Sequence, residues 1–307
     1  MGTGELKEAL ERDGGAGTGW GVRAAVTVMC LVWGSTWLVL KDGLAEMPPL
    51  GSAGLRFLIA WAVMVPLAPV IARAEGGRAP TWDLVVAMAT GNFAISYGLV
   101  YWAEEILPSS LAAILWGVFP LLTALVGHAY LPASRIVGLQ WLGLVLGFAG
   151  VVMLFATDVE AVGAEARLRG GLLLLSPTVS AVATAYVKKH GADVSSALLN
   201  RSALLLGGGL LALAALLIEG GVPLPSSGRA WFSVLYLAGF GTVLTFTLYF
   251  WVLRRANPVS LSLIAYVTPA IALVLGTTLG GEPVTGWTFG GLGLVLAGCA
   301  AVLRRPG

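Results

Sequence analysis

Along this chain charged residues fall in short clusters, and long runs without any charge lie between them. Uncharged spans occupy 24–40, 57–72, 84–103, 106–127, 136–157, 170–187, 202–218, 230–253, 256–281 and 283–303. Apolar residues follow one another within these runs without the strict alternation of a half-buried strand, so the pattern predicts helices. The runs hold 16 to 26 residues, and about 20 helical residues cross a hydrocarbon core of about 30 Å. The two shortest, 57–72 and 202–218, each follow an arginine, Arg56 or Arg201, that fits inside the helix. Lipid offers no water to unpaired backbone groups, which restricts spanning structures to helices and closed barrels; continuous apolar runs select helices. The expected fold class is an all-α polytopic membrane protein with ten transmembrane helices.

Composition agrees. The 307 residues are 57% hydrophobic and 11% charged, whereas soluble domains carry about 25% charge. Net charge is +2, too small a field to point to nucleic acid. Its placement says more, because cytoplasmic loops collect Lys and Arg. With the N-terminus inside, Lys7, Arg12, Arg23, Arg73, Arg78, Arg135, Lys188, Lys189, Arg254, Arg255, Arg304 and Arg305 are cytoplasmic. Only Lys41, Arg167, Arg169 and Arg229 are then outside, so both termini are expected in the cytoplasm. Residues 1–21 are polar and Gly-rich and read as a disordered cytoplasmic tail, with no cleavable signal peptide. Cys30 and Cys299 both lie in apolar spans and read as packing residues.

The chain repeats itself. The segment from Tyr101 answers the one from Tyr249: Val118, Pro120 and Gly127 match Val267, Pro269 and Gly276. After a one-residue shift, Gly138, Gly143, Leu144, Leu146, Ala149 and Gly150 match Gly286, Gly291, Leu292, Leu294, Ala297 and Gly298. Halves of five spans each enter from opposite sides, which makes them inverted repeats, 22–156 and 168–303, with a site expected between them near the midplane.

The stretches "WGSTWLVLKDGL" (33–44), "LRF" (55–57), "SSLAAILWGVFPLLTALV" (109–126) and "NPVSLSLIAYVTPAIALVLG" (257–276) resemble the drug/metabolite transporter superfamily, and within it the EamA-like ten-helix exporters. The resemblance covers about residues 24–303 and implies a secondary transporter in the bacterial inner membrane that exports small metabolites, amino acids or similar amphipathic compounds. Family members often carry Gly-Glu between the last two helices of both repeats. Here Gly281-Glu282 has no acidic counterpart around Leu131–Ser134, which points to a structural role for Glu282.

Candidate site residues come from polar and aromatic side chains at depth. Trp33, Trp37 and Trp116 either pack or line a path for solute. Ser35 and Thr36 either permit close helix approach or offer hydroxyls. Asn92, Ser96, Tyr97 and Tyr101 form a polar row expected on one helix face. With Tyr266, the expected substrate-binding set is Trp33, Ser35, Thr36, Asn92, Tyr97, Tyr101, Trp116 and Tyr266. Pro120 and Pro269 interrupt equivalent helices and read as hinges or plain kinks.

Among the charges, Arg56 is expected to pair with Glu104, Glu105 or a solute anion and, with Glu104, to form a gate or coupling element at the outer mouth. Lys41 is expected to snorkel to headgroups. No deep carboxylate is present, so facilitated or weakly proton-coupled movement is expected, with Glu104 as the protonatable group. No metal site, cofactor motif, nucleophile with base, or phosphate loop appears, so neither an enzyme nor an ATP-driven pump is expected. The alternatives are a multidrug exporter and, further off, a receptor-like or intramembrane enzymatic protein. The expected partners are a small-molecule substrate and the bilayer; the oligomeric state is left open.

Overall fold

The computed structural model of the protein describes residues 16–131, 136, 138–253 and 258–303. These form a series of helical rods: α1 (Ala16–Leu44), α2 (Pro49–Glu75), α3 (Trp82–Glu104), α4 (Ser109–Tyr130), α5 (Leu139–Val162), α6 (Ala164–His190), α7 (Ser196–Ile218), α8 (228–253), α9 (Pro258–Thr278) and α10 (Gly286–Leu303). Eight stretches are long and apolar enough to cross a membrane; α9 and α10 contribute the shorter apolar helices Val267–Thr278 and Gly286–Val302. No strand occurs among the described residues.

Helix boundaries follow local chemistry. Pro49, Ser109 after Pro108, and Pro258 open their helices, where a missing N–H or a fixed φ costs nothing. Ser195 and Ser227 accept from Leu198 N and Ala230 N at the starts of α7 and α8. Gly76 ends α2 at φ 70°, in the left-handed region that other residues enter at a cost. Most rods overrun the uncharged spans, because charges at helix ends keep their heads in a polar layer. The N-terminal expectation changes. Residues 16–21, read as tail, are the first turns of α1, which packs through Val22, Ala25 and Val26 into a cluster that includes Trp251 of α8; a Cβ added at Gly21 would touch that ring at 3.4 Å. Residues 1–15 lie outside the described residues.

The rods pack as pairs. α5 lies against α10, α2 against α7, α1 against α9 and α6 against the second half of α4. Glycines set the α5–α10 approach: an added Cβ at Gly143 would stand 2.7 Å from Gly298 O, and one at Gly150 would stand 2.7 Å from Gly291 O. In lipid such backbone-to-backbone contact replaces the hydrophobic drive that water supplies elsewhere. Loops join the halves as well. Arg78 pairs with Asp193 at 2.5 Å, and its guanidinium holds that carboxyl below the usual range. Cys30 and Cys299 are free and buried, as packing residues would be.

Three rods carry π-helical segments, Ala89–Ala94 in α3, Phe155–Val159 in α5 and Gly239–Leu244 in α8. Those in α3 and α8 occupy corresponding helices of the two halves. Each such segment lets an extra residue into the turn and rotates every later side chain by about 100°.

The two prolines are not built alike. At Pro120 α4 breaks, Ser109–Trp116 ending before Gly117 and Phe119–Tyr130 beginning after it. α9 runs unbroken through Pro269. The two meet, since an added Cβ at Gly117 would lie 3.1 Å from the Pro269 ring.

Candidate functional site

The interior of the bundle is organised around Arg56, two turns into α2 and 2% exposed. Its Nε donates to Thr242 Oγ1 at 3.1 Å, its Nη1 to Tyr101 OH at 3.3 Å and its Nη2 to Gly241 O at 3.4 Å. The guanidinium also lies over the Tyr97 ring at 4.9 Å and the Phe57 ring at 5.2 Å. The π segment of α8 makes this possible. Gly241 brings its backbone against the arginine, and a Cβ there would meet Thr36 Cγ2 at 2.9 Å. The expected ion pair is therefore absent: among the described residues no carboxylate bridges Arg56, and neutral groups take all three of its bonds.

Around it stand aromatic rings. Phe57 packs edge-on to Phe93 and Tyr97, Phe93 meets Phe246, and Trp33 meets Phe246 at 5.9 Å. Trp33 Nε1 donates to Gly241 O at 3.3 Å, which ties α1 to the same carbonyl that Arg56 uses. Ser35 shares a 2.7 Å hydrogen bond with Tyr236 OH on α8, while Thr36 donates to Trp33 O within its own helix. Both hydroxyls are thus engaged inside the protein.

The polar row on α3 does not hold together. Asn92 sits inside the π segment, is half-buried and makes no hydrogen bond among the described residues. Tyr97 and Tyr101 face Arg56. Ser96 turns to α6 instead, bonding Ser176 at 2.8 Å and Ser180 at 3.0 Å. Ser96 and Tyr97 are neighbours in the regular helix Ile95–Glu104 and so stand about 100° apart around its axis; the π segment before them changes only where Asn92 lies relative to all three. Ser176 also accepts from Trp116 Nε1 at 3.0 Å, and Trp116 stacks on Phe119 and approaches Trp37 at 6.3 Å. Trp116 therefore belongs to a second cluster beside the Arg56 group. Tyr266 lies on α9, and its side chain is outside the described residues.

At one end of α3 the two glutamates diverge. Glu104 is fully buried, and neither carboxylate oxygen has a hydrogen-bond partner among the described residues. Glu105 is exposed and pairs with Arg169 at 2.6 Å, whose guanidinium covers the Trp102 ring. Lys41 does not snorkel. Its Nζ donates to Glu104 O at 2.5 Å and to the Glu105 and Leu107 carbonyls at 3.1 Å, closing the C-terminus of α3. These carbonyls have no helical partner, and a cation suits that end of the helix dipole. Glu282 closes the opposite kind of end, accepting from Ser109 N at 2.6 Å and Ser110 N at 2.9 Å where α4 begins. Glu219 does the same for Leu50 N and Gly51 N on α2.

The profile of the EamA-like transporter family matches residues 20–156 and again 169–304, nearly the whole chain in two copies. The chain belongs to the EamA-like transporter family. It is 28% identical over 288 residues to the uncharacterized inner membrane transporter YedA of Escherichia coli K12, covering 89% of this chain and 87% of YedA. It is 28% identical to the uncharacterized transporter YvbV of Bacillus subtilis, with 89% and 88% covered. A probable amino-acid metabolite efflux pump of Salmonella typhimurium is 26% identical over 287 residues, with 88% and 91% covered. One solved crystal structure matches with a TM-score of 0.65 at 21% identity, covering 92% of this chain and 96% of that one, a likeness of fold alone. This EamA-like chain is thus a membrane transporter whose glutamate after α9 is a helix cap.

Sequence reasoning missed Gly241, Thr242, Tyr236, Ser176 and Phe246 as parts of these clusters. Only Ser176, beside Pro177 in an apolar span, carried a visible polar signal; the others read as ordinary transmembrane residues.

Proposed function

We propose that the protein is a secondary exporter of small amphipathic metabolites that carry a carboxylate, amino acids or close relatives, across the bacterial inner membrane. Ten crossings, both termini in the cytoplasm and two inverted five-helix halves form the working unit. The paired packing of α5 with α10 and α2 with α7, and of α1–α9 alongside α6–α4, supports that symmetry. The relatives named inner membrane transporter and probable amino-acid metabolite efflux pump support the location and the solute class.

One observation carries the reading: Arg56 is a buried cation that, among the described residues, no carboxylate bridges. A charge at membrane depth that only neutral groups hold is expensive, and retaining it points to a solute anion that completes the site. In the sealed state Tyr101, Thr242 and Gly241 O hold the guanidinium; as the halves rock, the solute carboxylate replaces some of these bonds. Trp33, Tyr97, Phe57 and Phe246 supply the wall for the apolar part of the solute, with Ser35, Thr36, Asn92, Trp116 and Tyr266 completing the path. Pro120, and Pro269 where α9 crosses α4 beside Gly117, act as hinges. Glu104, sealed near the mouth, is the protonatable gate.

The test is efflux from cells loaded with labelled amino acids and, separately, with cationic drugs. Export of at least one amino acid, absent for the drugs, is expected. Glu104→Gln should reduce proton entry coupled to that export by about 100-fold, the lower end of what a positioned proton-transfer group contributes. Unchanged efflux of every compound sinks the solute class, and unchanged proton entry sinks the role of Glu104.

A further inference from the structure

On the outer surface of the bundle, between α2 and α7, lies a groove of about 590 Å³ whose lining includes Trp61, Val65, Trp82, Arg201, Leu205 and Leu213. Its walls face outward: Val65, Trp82, Leu205 and Leu213 are all exposed. Arg201 stands in the second turn of α7, about 8 Å from the start of the helix at 1.5 Å per residue. Trp82 is the first residue of α3, the level at which tryptophan marks the boundary between headgroups and acyl chains. Among the described residues Arg201 has no ion-pair or hydrogen-bond partner, and the groove lining contains no carboxylate. A guanidinium at the edge of an apolar, lipid-facing groove calls for an anion from outside the protein.

We propose that this groove is a binding site for one anionic phospholipid, with Arg201 and Ser202 holding the phosphodiester and an acyl chain lying along Leu205, Leu213 and Val65. From Arg201 to Leu213 the groove follows α7 for about 18 Å, room for most of one acyl chain. Trp82 covers the glycerol region. Basic pockets between transmembrane helices take lipid headgroups on the same physical grounds. A second copy of the chain fits less well. A two-fold interface sets a patch against itself, and here it would place Arg201 near Arg201 with no acid in the groove to separate them. A zwitterionic lipid brings its own cation toward the guanidinium, so a net negative headgroup is the better complement.

Full-length protein in mild detergent is to be examined by native mass spectrometry and thermal melting with phosphatidylglycerol, phosphatidylcholine or inorganic phosphate added. Phosphatidylglycerol should give one retained lipid per chain and raise the melting temperature. Phosphatidylcholine should bind about tenfold more weakly, inorganic phosphate should have no effect, and Arg201→Gln should weaken phosphatidylglycerol binding about tenfold or more. Arg201→Lys should retain part of it. If Arg201→Gln does not survive purification, Leu213→Trp, which fills the acyl end of the groove, should lose the lipid as well. Equal binding of the two lipids by the wild type overturns the proposal, as does phosphatidylglycerol binding unchanged in either variant. Stabilisation by inorganic phosphate alone, or a dimer without lipid that dissociates in Arg201→Gln, also overturns it.

Discussion

Arg56→Met protein is expected to melt within a few degrees of the wild type and to export its solute about 100-fold more slowly. The two halves of that expectation have separate physical causes. In the structure Arg56 is 2% exposed and, among the described residues, bonded to Thr242, Tyr101 and the Gly241 carbonyl. Removing the charge forfeits those bonds and two ring contacts and leaves the buried Tyr101 hydroxyl without its bond to Arg56, but it also removes the desolvation penalty of a buried ion, which offsets much of that loss. Thr242 keeps a partner, since its hydroxyl donates to Leu237 O. Transport has no such compensation. The solute carboxylate would meet no cation, and losing hydrogen bonds between charged groups costs about 3 kcal/mol, or about 100-fold. Arg56→Lys keeps the charge but loses the planar fork and the ring stacking. It should recover only part of the rate, with the larger change in KM. Melting curves and initial efflux rates on the same preparations check both halves; a variant that loses its fold and its activity together would make Arg56 a structural strut.

Gly298→Ala should have the largest effect on the fold itself. An ideal Cβ there would stand 2.5 Å from Gly147 N, 2.6 Å from Gly143 O and 2.7 Å from Gly147 Cα, all backbone atoms that cannot rotate away. α5 and α10 must then separate along the whole seam, at a cost of about 1–3 kcal/mol or more, as overpacking does elsewhere. Gly293→Ala on the same helix adds its Cβ to open space. It should leave stability unchanged or raise it by a few tenths of a kcal/mol, because alanine restricts the unfolded chain. The contrast between two glycines five residues apart, read as melting temperature in one detergent, separates close helix packing from helix propensity. Equal effects of the two substitutions would remove the packing account.

Much of the architecture could be read from where charges are missing. In lipid the backbone must satisfy itself, so a run such as 57–72 or 230–253 has only one economical conformation, and the described helices lie where those runs lie. The family was legible for a related reason: order and spacing of small and aromatic residues, from Trp33 to Gly276, record helix contacts that close packing imposes. The caps were half legible. Glu282 was readable as structural, but the carbonyls that hold Lys41 lie 63 to 66 residues away in sequence, and no local pattern encodes such a pairing.

What the tertiary structure alone decided is which side chains face each other. Periodicity placed Asn92, Ser96, Tyr97 and Tyr101 in one row, yet Ser96 turns to α6 and the tyrosines to Arg56, since neighbours in the regular helix Ile95–Glu104 stand about 100° apart around its axis. Arg56 itself was visible as a charge in a greasy helix. Its partners, a threonine and a glycine carbonyl from the π segment of α8, depend on a helical irregularity that residue identity does not announce. Hydrophobicity is a property of each residue and is written in the chain. Facing is a property of how helices are wound and crossed, and it is settled only when the halves pack together.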